Sequence, residues 1–366
     1  MSTTFLPCGV YHENYKQDHA WWQTKFIKSK MFLLLISLFF IIPWVSDTYW
    51  LSICNLIGYT VLGALGVQLL IGFCGQVTLG HAAFLAVGAY VSTLLVLEFP
   101  WPALLVEWGL AYPISIFIAA IAAGFWCVLF GLPSARVKGF YLILTTMAAQ
   151  FITVDFVITQ YVSQIGGRGQ AFSLPVGTIK VGPWVIDSDI KVYYMMIVLV
   201  ILCVVGVVNL LRSRVGRAWV AIRDNDISAE VMGINIIKYK LLAFFVAGCI
   251  GGIAGAVWIS NLAAISPEHF PWFWSLWLVG VVLIGGAGSV HGTIFGSIFM
   301  VVVMELLQMA VMPLADTYPK LLLDFLFIKE SAFGLAICLF LIFEPNGLAY
   351  RWWQAKNYFN LWPFSY

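Results

Sequence analysis

Charged residues are scarce in this chain: Asp, Glu, Lys and Arg together make up 10% of its 366 residues. A soluble globular chain carries about 25% charged and about 45–50% apolar residues, whereas 62% of this sequence is apolar. This composition excludes an ordinary soluble domain and predicts a protein of the lipid bilayer. The net charge of +2, without a basic stripe, excludes a nucleic-acid partner.

Soluble catalytic signatures are also missing. The sequence contains no His-x-x-Glu-His, no phosphate-binding loop with its lysine and no Gly-x-Ser-x-Gly, which argues against a zinc protease, an ATP-binding chain and a serine hydrolase. It has no Cys-x-x-Cys pair, and six of its seven cysteines lie within apolar runs. Such cysteines are typical packing residues, so we expect no catalytic residue, no metal and no cofactor on this chain.

Long apolar runs are what the sequence has in abundance. A spanning helix needs about 20 residues, so this length allows roughly ten spans with their loops. The first run follows three lysines as in a signal peptide, but no small-residue cleavage site comes after it, and we interpret it as a membrane anchor. The sequence predicts an all-α integral membrane protein with about ten transmembrane helices. Their approximate bounds are 31–46, 50–73, 77–97, 110–131, 139–161, 192–211, 241–262, 274–287, 292–312 and 331–344.

The distribution of Lys and Arg predicts how these helices are oriented. With the N-terminus in the cytoplasm and the spans alternating, fourteen Lys and Arg lie on the cytoplasmic side and five outside, as the positive-inside rule requires. The N- and C-termini are therefore predicted to be cytoplasmic. The predicted divisions are a cytoplasmic extension (1–30), a transmembrane domain (31–350) and a cytoplasmic tail (351–366). Within the domain, 162–191 is an external loop and 212–240 a cytoplasmic segment.

Two glycine-rich polar stretches interrupt the apolar runs on the predicted cytoplasmic side. The first runs from Gly72 to His81 and holds three polar side chains at or near membrane depth: Gln76, Thr78 and His81. Broken helices are tolerated there only inside protein or beside water, so these side chains either face a permeation path or form a packing cluster. The second stretch carries Ser289 and echoes the first, and internal repeats in transporters point toward the transport pathway.

Two carboxylates lie inside predicted spans, Asp155 in the fifth and Glu305 in the ninth. A charged side chain costs about 2.5–3.5 kcal/mol at the centre of a membrane helix, so each is expected to face the protein interior. Either they couple transport to protons or sodium ions, or each takes part in a structural hydrogen bond or lies near the outer interface. Asp155 is only about six residues from the end of its predicted span, which favours one of the latter two readings for it, whereas Glu305 is deeper. The first reading keeps an ion-coupled secondary transporter or channel as an alternative function.

The largest concentration of charge lies between residues 212 and 240, where six of the nineteen basic and three of the seventeen acidic residues occur. No Pro or Gly occurs in the fifteen residues before Gly233, which is a natural helix stop. Residues with cap chemistry precede it, namely Asp224, Asp226 and Ser228. The pattern predicts a short helix over about 227–232. The positive-inside rule explains the charges, but not a helix bounded by glycine.

Several short motifs follow one another along the chain. The 212–240 segment and the residues after it contain Gly216-Arg217-Ala218, Ala221-Ile222-Arg223-Asp224-Asn225, Ala229-Glu230, Gly233-Ile234-Asn235 and Tyr239-Lys240-Leu241-Leu242-Ala243-Phe244. Flanking motifs are Gly75-Gln76 with Leu79-Gly80-His81-Ala82-Ala83-Phe84, then Gly285-Gly286-Ala287-Gly288-Ser289 and Phe343-Glu344-Pro345-Asn346-Gly347-Leu348. Together, over about residues 50–350, these motifs resemble the permeases of branched-chain amino acid ABC transporters.

The resemblance implies a mechanism and a set of partners. In that family a short cytoplasmic helix docks in a groove of an ATPase subunit, and a rigid helix between two spans can pass on the movement of that subunit. The residues implied in coupling to the ATPase are Gly216, Arg217, Ala221, Arg223, Glu230 and Gly233. The implied partners are a sister permease, two ATP-binding subunits, which carry the ATP, and an external substrate-binding protein. The extension over 1–30 resembles the longer of the family's two permease types and implies a heterodimer.

The implied function is ATP-driven uptake of a small amino acid-like solute across the inner (plasma) membrane of a bacterial cell. Four residues are candidates for the translocation pathway: Gln76, Thr78, His81 and Ser289. The family often has Thr-Gly-Gly-Pro in the external loop, where this chain has Ile165-Gly166-Gly167-Arg168. This departure leaves the solute open among branched-chain and other amino acids, urea and short amides.

Overall fold

The computed structural model describes residues 25–135, 139–162, 171–173, 179–262, 264–315 and 325–361 of the chain. Helices dominate because a helix satisfies its backbone hydrogen bonds within one segment, and the bilayer core offers no water to do so. The α-helices are α1 Lys25–Ile36, α2 Ile42–Val45, α3 Thr48–Gln68, α4 His81–Leu97, α5 Ala103–Glu107, α6 Ala111–Ala135, α7 Phe140–Phe151, α8 Asp189–Arg212, α9 Arg214–Asp224, α10 Asp226–Val231, α11 Ile236–Leu262, α12 Trp272–Gly285, α13 Val290–Ala315, α14 Phe325–Phe343 and α15 Gly347–Leu361.

Three π-helical segments continue the longer helices. Ser37–Ile41 joins α1 to α2, Leu69–Phe73 extends α3 and Ile152–Tyr161 extends α7. A 3-10 turn, Pro267–His269, precedes α12. The strands have two residues each, and they are β1 Phe172–Ser173, β2 Lys180–Val181, β3 Trp184–Val185 and β4 Ala264–Ile265. Strand β1 pairs antiparallel with β4, with Phe172 opposite Ile265, and β2 pairs antiparallel with β3.

Seven helices in the described ranges are long and apolar enough to cross a bilayer: Lys28–Val45, Thr48–Phe73, Ala111–Ala135, Phe140–Tyr161, Asp189–Arg212, Ile236–Ile259 and Val290–Pro313. The pair Phe327–Phe343 and Gly347–Asn360, bent by 44°, makes an eighth if it is one span. Two other predicted runs form shorter helices. Helix α4 has 17 residues and α12 has 14, about 25 Å and 21 Å against a bilayer core of about 30 Å.

The prediction of a mostly helical membrane protein is confirmed, whereas the count of about ten spans is not. The sides on which the two termini lie, and the divisions at residues 30 and 350, stay predictions. Residues 1–24 of the N-terminal extension lie outside the described part of the chain. Helix α15 crosses the predicted boundary of the tail, so residues 351–361 continue a helix that begins at Gly347.

The predicted external loop is described at residue 162, over 171–173 and over 179–191. Its β2–β3 hairpin is followed by Lys191, whose Nζ donates a hydrogen bond to Asp187 Oδ1 at 2.6 Å. This bond lowers the pKa of the exposed Asp187 carboxyl. The Ile165-Gly166-Gly167-Arg168 stretch, where the sequence departs from the family pattern, lies outside the described residues.

Helix α11 is central to the bundle and packs against α6, α4 and α3. Small residues let these backbones approach each other closely. A methyl group at Gly255 would lie 1.9 Å from Leu85 O, and one at Gly88 would lie 2.3 Å from Gly252 Cα. The close approach of α4 to α11 therefore requires glycine at both positions.

Candidate functional site

The charged segment between α8 and α11 folds into two short helices. Ser213 Oγ accepts a hydrogen bond from Val215 N at 3.2 Å at the start of α9, and Asn225 Oδ1 accepts one from Ser228 N at 3.1 Å at the start of α10. Each cap satisfies a backbone N–H that lacks a partner within its helix. The helix predicted over about 227–232 is confirmed as α10, whereas α9 has no counterpart among the predicted elements.

Gly233 follows α10 with a φ of +84°, and the predicted helix stop is confirmed. Its N–H donates to Glu230 O at 2.9 Å, and the N–H of Ile234 donates to Ala229 O at 3.0 Å. No atom lies within 4 Å of the place where a Cβ would stand. The backbone conformation, and not the available space, is therefore what favours glycine here.

A Gly233→Ala substitution is expected to destabilise this turn by about 1–2 kcal/mol, the cost of a left-handed conformation for a residue with a Cβ. Thermal unfolding of the purified chain in detergent measures the effect. Gly206→Ala is the matched control, since Gly206 lies inside α8 with nothing within 4 Å of its added methyl and has no positive φ. Alanine favours a helix interior, so the control should keep or raise the unfolding temperature. Equal unfolding temperatures of the Gly233→Ala and Gly206→Ala variants would contradict a strained turn at Gly233.

Helix α10 presents an exposed apolar surface. The exposed fractions are 68% for Ile227, 81% for Val231 and 82% for Met232. Exposed large apolar side chains that lie together on a charged segment are typical of a binding surface for another protein. We call these three residues the α10 surface. The sequence predictions miss it, although three apolar residues within a charged segment are visible in the sequence.

Four of the predicted coupling residues occupy different environments on α9 and α10. Gly216 is buried where α9 turns away from α8, and a methyl group there would lie 2.3 Å from Leu211 Cα. Arg217 is exposed and its Nη1 donates to Arg212 O at 3.4 Å. Ala221 is half-buried and Glu230 is exposed. Gly216 therefore shapes the segment, while Arg217 and Glu230 are open to a partner.

Trp219 anchors α9 to the membrane bundle and has no counterpart among the predicted site residues. Its side chain is fully buried, and its Nε1 donates to Tyr239 O at 2.8 Å in the first turn of α11. A buried tryptophan contributes much packing area and needs a partner for its N–H, and both conditions are met here. Helix α9 is thereby held against the start of α11.

Arg223 connects the charged segment to the end of α3. Its Nη1 donates a hydrogen bond to Gly72 O at 2.7 Å, and its Nη2 lies 2.9 Å from Asp224 Oδ1. A methyl group at Gly75 would lie 3.0 Å from Arg223 Cγ, and one at Gly288 would lie 2.9 Å from Arg223 Nη1. The arginine therefore contacts both glycine-rich stretches.

The two glycine-rich stretches also pack directly on each other. A methyl group at Gly72 would lie 2.5 Å from Gly288 N. Gln68 Nε2, one turn earlier in α3, lies 3.3 Å from Gly286 O and 3.1 Å from Ser289 O. Ser289 Oγ in turn accepts a hydrogen bond from Gly292 N at 3.2 Å near the start of α13. We call this contact between the ends of α3 and α12, with Arg223 beside it, the glycine junction.

A cleft of about 410 Å³ opens beside the glycine junction. Its lining includes Gln76, Arg223, Asp224 and Lys240. Lys240 is only 3% exposed. The sequence carries no signal for this burial, because a buried and an exposed lysine at this position fit the positive-inside pattern equally well. Among the described residues no group of three or more His, Cys, Asp and Glu could hold a metal ion. The cleft is a polar recess under α9 and α10.

The three polar residues between α3 and α4 lie in the protein interior. Gln76 is 6% exposed, and Thr78 and His81 are fully buried. His81 packs against α3 and α11, since a methyl group at Gly66 would lie 2.5 Å from its Nε2. Neither ring nitrogen of His81 has a hydrogen-bond partner among the described residues. The structure places Ser289 at the glycine junction, Gln76 in the cleft beside it, and Thr78 and His81 elsewhere, so the predicted pathway role of all four stays a prediction.

The two carboxylates inside spans differ in their surroundings. Glu305 is half-buried and accepts a hydrogen bond from the Tyr49 hydroxyl group near the start of α3. Asp155 is exposed on the π-helical segment that continues α7. Neither residue is part of the glycine junction. Glu305 therefore has a hydrogen-bond partner in the structure, whereas the side chain of Asp155 is exposed.

A bundle of apolar helices long enough to cross a bilayer, with a capped helix pair on one connection, is the architecture of a multi-pass membrane protein. The chain belongs to the family of permease components of branched-chain amino acid transport systems, whose family model matches residues 49–329.

Curated relatives agree with this family. The permease protein LivM of the high-affinity branched-chain amino acid transport system of Escherichia coli is 28% identical over 88% of this chain and 75% of the relative. The guanosine ABC transporter permease NupQ of Bacillus subtilis is 26% identical over 52% of this chain and 60% of the relative. The ribose import permease RbsC of Haemophilus influenzae is 23% identical over 75% of this chain and 83% of the relative. No solved structure matches the chain.

Proposed function

We propose that the chain is a translocation subunit of an ATP-driven importer that moves a small amino acid-like solute inward across the inner membrane of a bacterial cell. The family and the similarity to LivM over most of the chain support an amino acid as the solute. The guanosine and ribose permeases among the relatives make these two compounds the comparison solutes. The chain itself performs no chemistry on the solute.

The observation that carries this proposal is the α10 surface together with Arg223. Three exposed apolar side chains lie on and directly after a capped helix, as expected of a helix that docks in a hydrophobic groove of an ATPase subunit. Arg223 lies directly before α10 and donates to Gly72 O at the end of α3. A displacement of α9 and α10 would therefore move the glycine junction as a rigid body. The ends of α3 and α12 would receive the motion, and the proposal requires the α10 surface to lie on the cytoplasmic side, where the ATPase subunits are.

The partners follow from this arrangement. One α10 surface on each permease requires two ATPase subunits for two permeases. We propose a sister permease in a heterodimer and an external substrate-binding protein that delivers the solute. Gly216, Arg217, Ala221, Arg223, Glu230 and Gly233 then belong to the coupling segment, with Arg223 as its link to the membrane helices. Gln76, Thr78, His81 and Ser289 remain candidates for the translocation pathway.

Proteoliposomes containing the complete complex test this function. With ATP on the ATPase side and the binding protein on the other, we expect accumulation of L-leucine that stops when ATP is replaced by a non-hydrolysable analogue. Ribose and guanosine are tested in parallel, and accumulation of one of these instead of L-leucine would overturn the amino acid assignment while keeping the ATP-driven importer.

The alternative is an ion-coupled secondary transporter or channel that uses Glu305 and Asp155. Vesicles containing the permeases without ATPase subunits are the deciding sample. Uptake that follows an imposed proton or sodium gradient in these vesicles would overturn the ATP-driven importer. Glu305 accepts a hydrogen bond from Tyr49. This bond gives the Glu305 carboxylate a structural role that does not depend on a transported ion.

A further inference from the structure

The segment before α12 reaches the middle of the membrane. Gln150 is the midpoint of the 22-residue span Phe140–Tyr161. Its Nε2 donates to Phe270 O at 2.9 Å, and the Ser275 hydroxyl lies 3.5 Å from its Oε1. Phe270 and the first turn of α12 therefore lie level with the centre of that span. The 14 residues of α12, about 21 Å, then cover the distance to one side only.

This half-crossing segment is exposed at mid-membrane level. Pro271 and Trp272 are both exposed, and Trp272 has 41% of its surface free. Non-helical backbone at this depth is tolerated only where protein or water covers it, because lipid cannot satisfy its polar groups. The surface around Pro271 therefore faces either another protein or a water-filled path.

Asp155 is carried by a helical segment that packs beside the same surface. It stands five residues beyond Gln150, within about 8 Å of mid-membrane level. The π-helical segment that carries it, Ile152–Tyr161, contacts the turn Pro267–His269 just before Pro271. π-helical turns are rare and occur frequently at functional sites.

The carboxylate of Asp155 needs a partner from outside the described chain. Among the described residues none donates a hydrogen bond to it or forms an ion pair with it, whereas Glu305 is bonded to Tyr49. A bare carboxylate facing lipid near the membrane centre is unfavourable, and such residues line pathways or pair with a cation. Its exposed neighbours are apolar, namely Phe151, Ile152 and Phe156.

We infer that Asp155 and the exposed edge at Pro271 and Trp272 line the solute path, and that the Asp155 carboxylate binds the ammonium group of the solute. The apolar neighbours then receive an apolar side chain, so the site suits an amino acid with a free ammonium group and an apolar side chain. This inference rests on the proposed function as an importer. A carboxylate on a narrow path with apolar neighbours attracts a cationic group more strongly than it would in bulk water, because these neighbours lower the local dielectric constant.

The first test uses L-leucine uptake by the complete complex with its ATPases, sister permease and binding protein. Asp155→Asn is expected to lower uptake at least about tenfold, as the loss of one partner of a desolvated charge pair does. Asp155→Glu should restore part of it. The matched control is Glu305→Gln, which removes the other span carboxylate and should transport like the wild type. Binding-protein-stimulated ATP hydrolysis should persist in Asp155→Asn.

Two outcomes of this test would overturn the inference. Unchanged L-leucine uptake by Asp155→Asn would show that the carboxylate does not select the solute. Loss of the sister permease from the purified Asp155→Asn complex would show that Asp155 pairs with a cation of that subunit instead. Both outcomes leave the proposed function intact, since wild-type uptake with ATP is measured in the same vesicles.

A second test does not depend on the solute. In the complete complex, Asp155→Cys should react with a small cationic, water-soluble methanethiosulfonate, because a path-lining position is wet. Phe117→Cys on α6, an exposed apolar position expected to face lipid, is the control and should react slowly. The unmodified chain with its native cysteines sets the background. Labelling of Asp155→Cys no faster than that of Phe117→Cys would overturn a wet path at Asp155, even if L-leucine is not the solute.

Discussion

Replacing Arg223 with alanine is expected to uncouple ATP hydrolysis from solute uptake. The guanidinium group donates to Gly72 O at 2.7 Å and packs against the positions of Gly75 and Gly288. A hydrogen bond to a charged group contributes about 1.5–3 kcal/mol, and the lower end applies here because about a third of the side chain is exposed. Its loss lowers the population of the state in which α9 is bonded to the end of α3 by about tenfold. We therefore expect the solute taken up per ATP hydrolysed to fall by about this factor.

Proteoliposomes that report uptake and phosphate release together measure this ratio. Arg214→Ala is the matched control, since Arg214 is exposed on the same helix and its removal changes the charge equally. Arg223→Lys keeps the charge but cannot bond Gly72 O and Asp224 at once, so it should restore only part of the ratio. A proportional fall of uptake and ATP hydrolysis in Arg223→Ala would contradict a link to the glycine junction and would indicate a loss of ATPase binding.

Replacing two of the three residues of the α10 surface is expected to weaken the binding of the ATPase. Val231 and Met232 are both more than 80% exposed, so replacing them with serine should leave the fold of the chain unchanged. Burial of such a side chain in a partner contributes about 1.5–3 kcal/mol, so the loss of two weakens binding by about 3 kcal/mol or more. This free energy corresponds to an increase of about a hundredfold in the Kd for the ATPase subunit.

Titration of the ATPase subunit against the detergent-purified permease pair measures this Kd. Ile190→Ser is the control, because Ile190 is exposed at the opposite end of α8, about 33 Å from its last residue. The unfolding temperature of the double variant should match that of the wild type. A Kd unchanged in the double variant would place the ATPase contact outside α10.

Helix positions follow well from the sequence where an apolar run is long and unbroken. The run predicted at 50–73 is the helix Thr48–Phe73, and the run at 241–262 lies within Ile236–Leu262. Hydropathy identifies such segments because lipid requires about 20 apolar residues in a row. The run predicted at 77–97 begins later, at His81, because the residues before it form non-helical backbone, of which Gln76, Thr78 and Gly80 are buried.

The candidate site is only partly visible in the sequence. Both glycine-rich stretches and Arg223 stand out as motifs, and the structure adds that they touch. Lys240 and Trp219 carry no such signal, because burial of a single residue depends on which helices surround it. Asp155 and Glu305 both stand out in the sequence as carboxylates within predicted spans, and only the structure shows that Tyr49 bonds to Glu305.

By itself the sequence determined that this chain lies in the membrane, where most of its helices run and to which family it belongs, because hydropathy and motif order are local properties of the chain. The tertiary structure alone decided what the charged segment is attached to. Arg223 and Gly72 are 151 residues apart, and Gln68 and Gly286 are 218 apart. No local pattern specifies such contacts, because they arise only when close-packed helices bring distant glycines together.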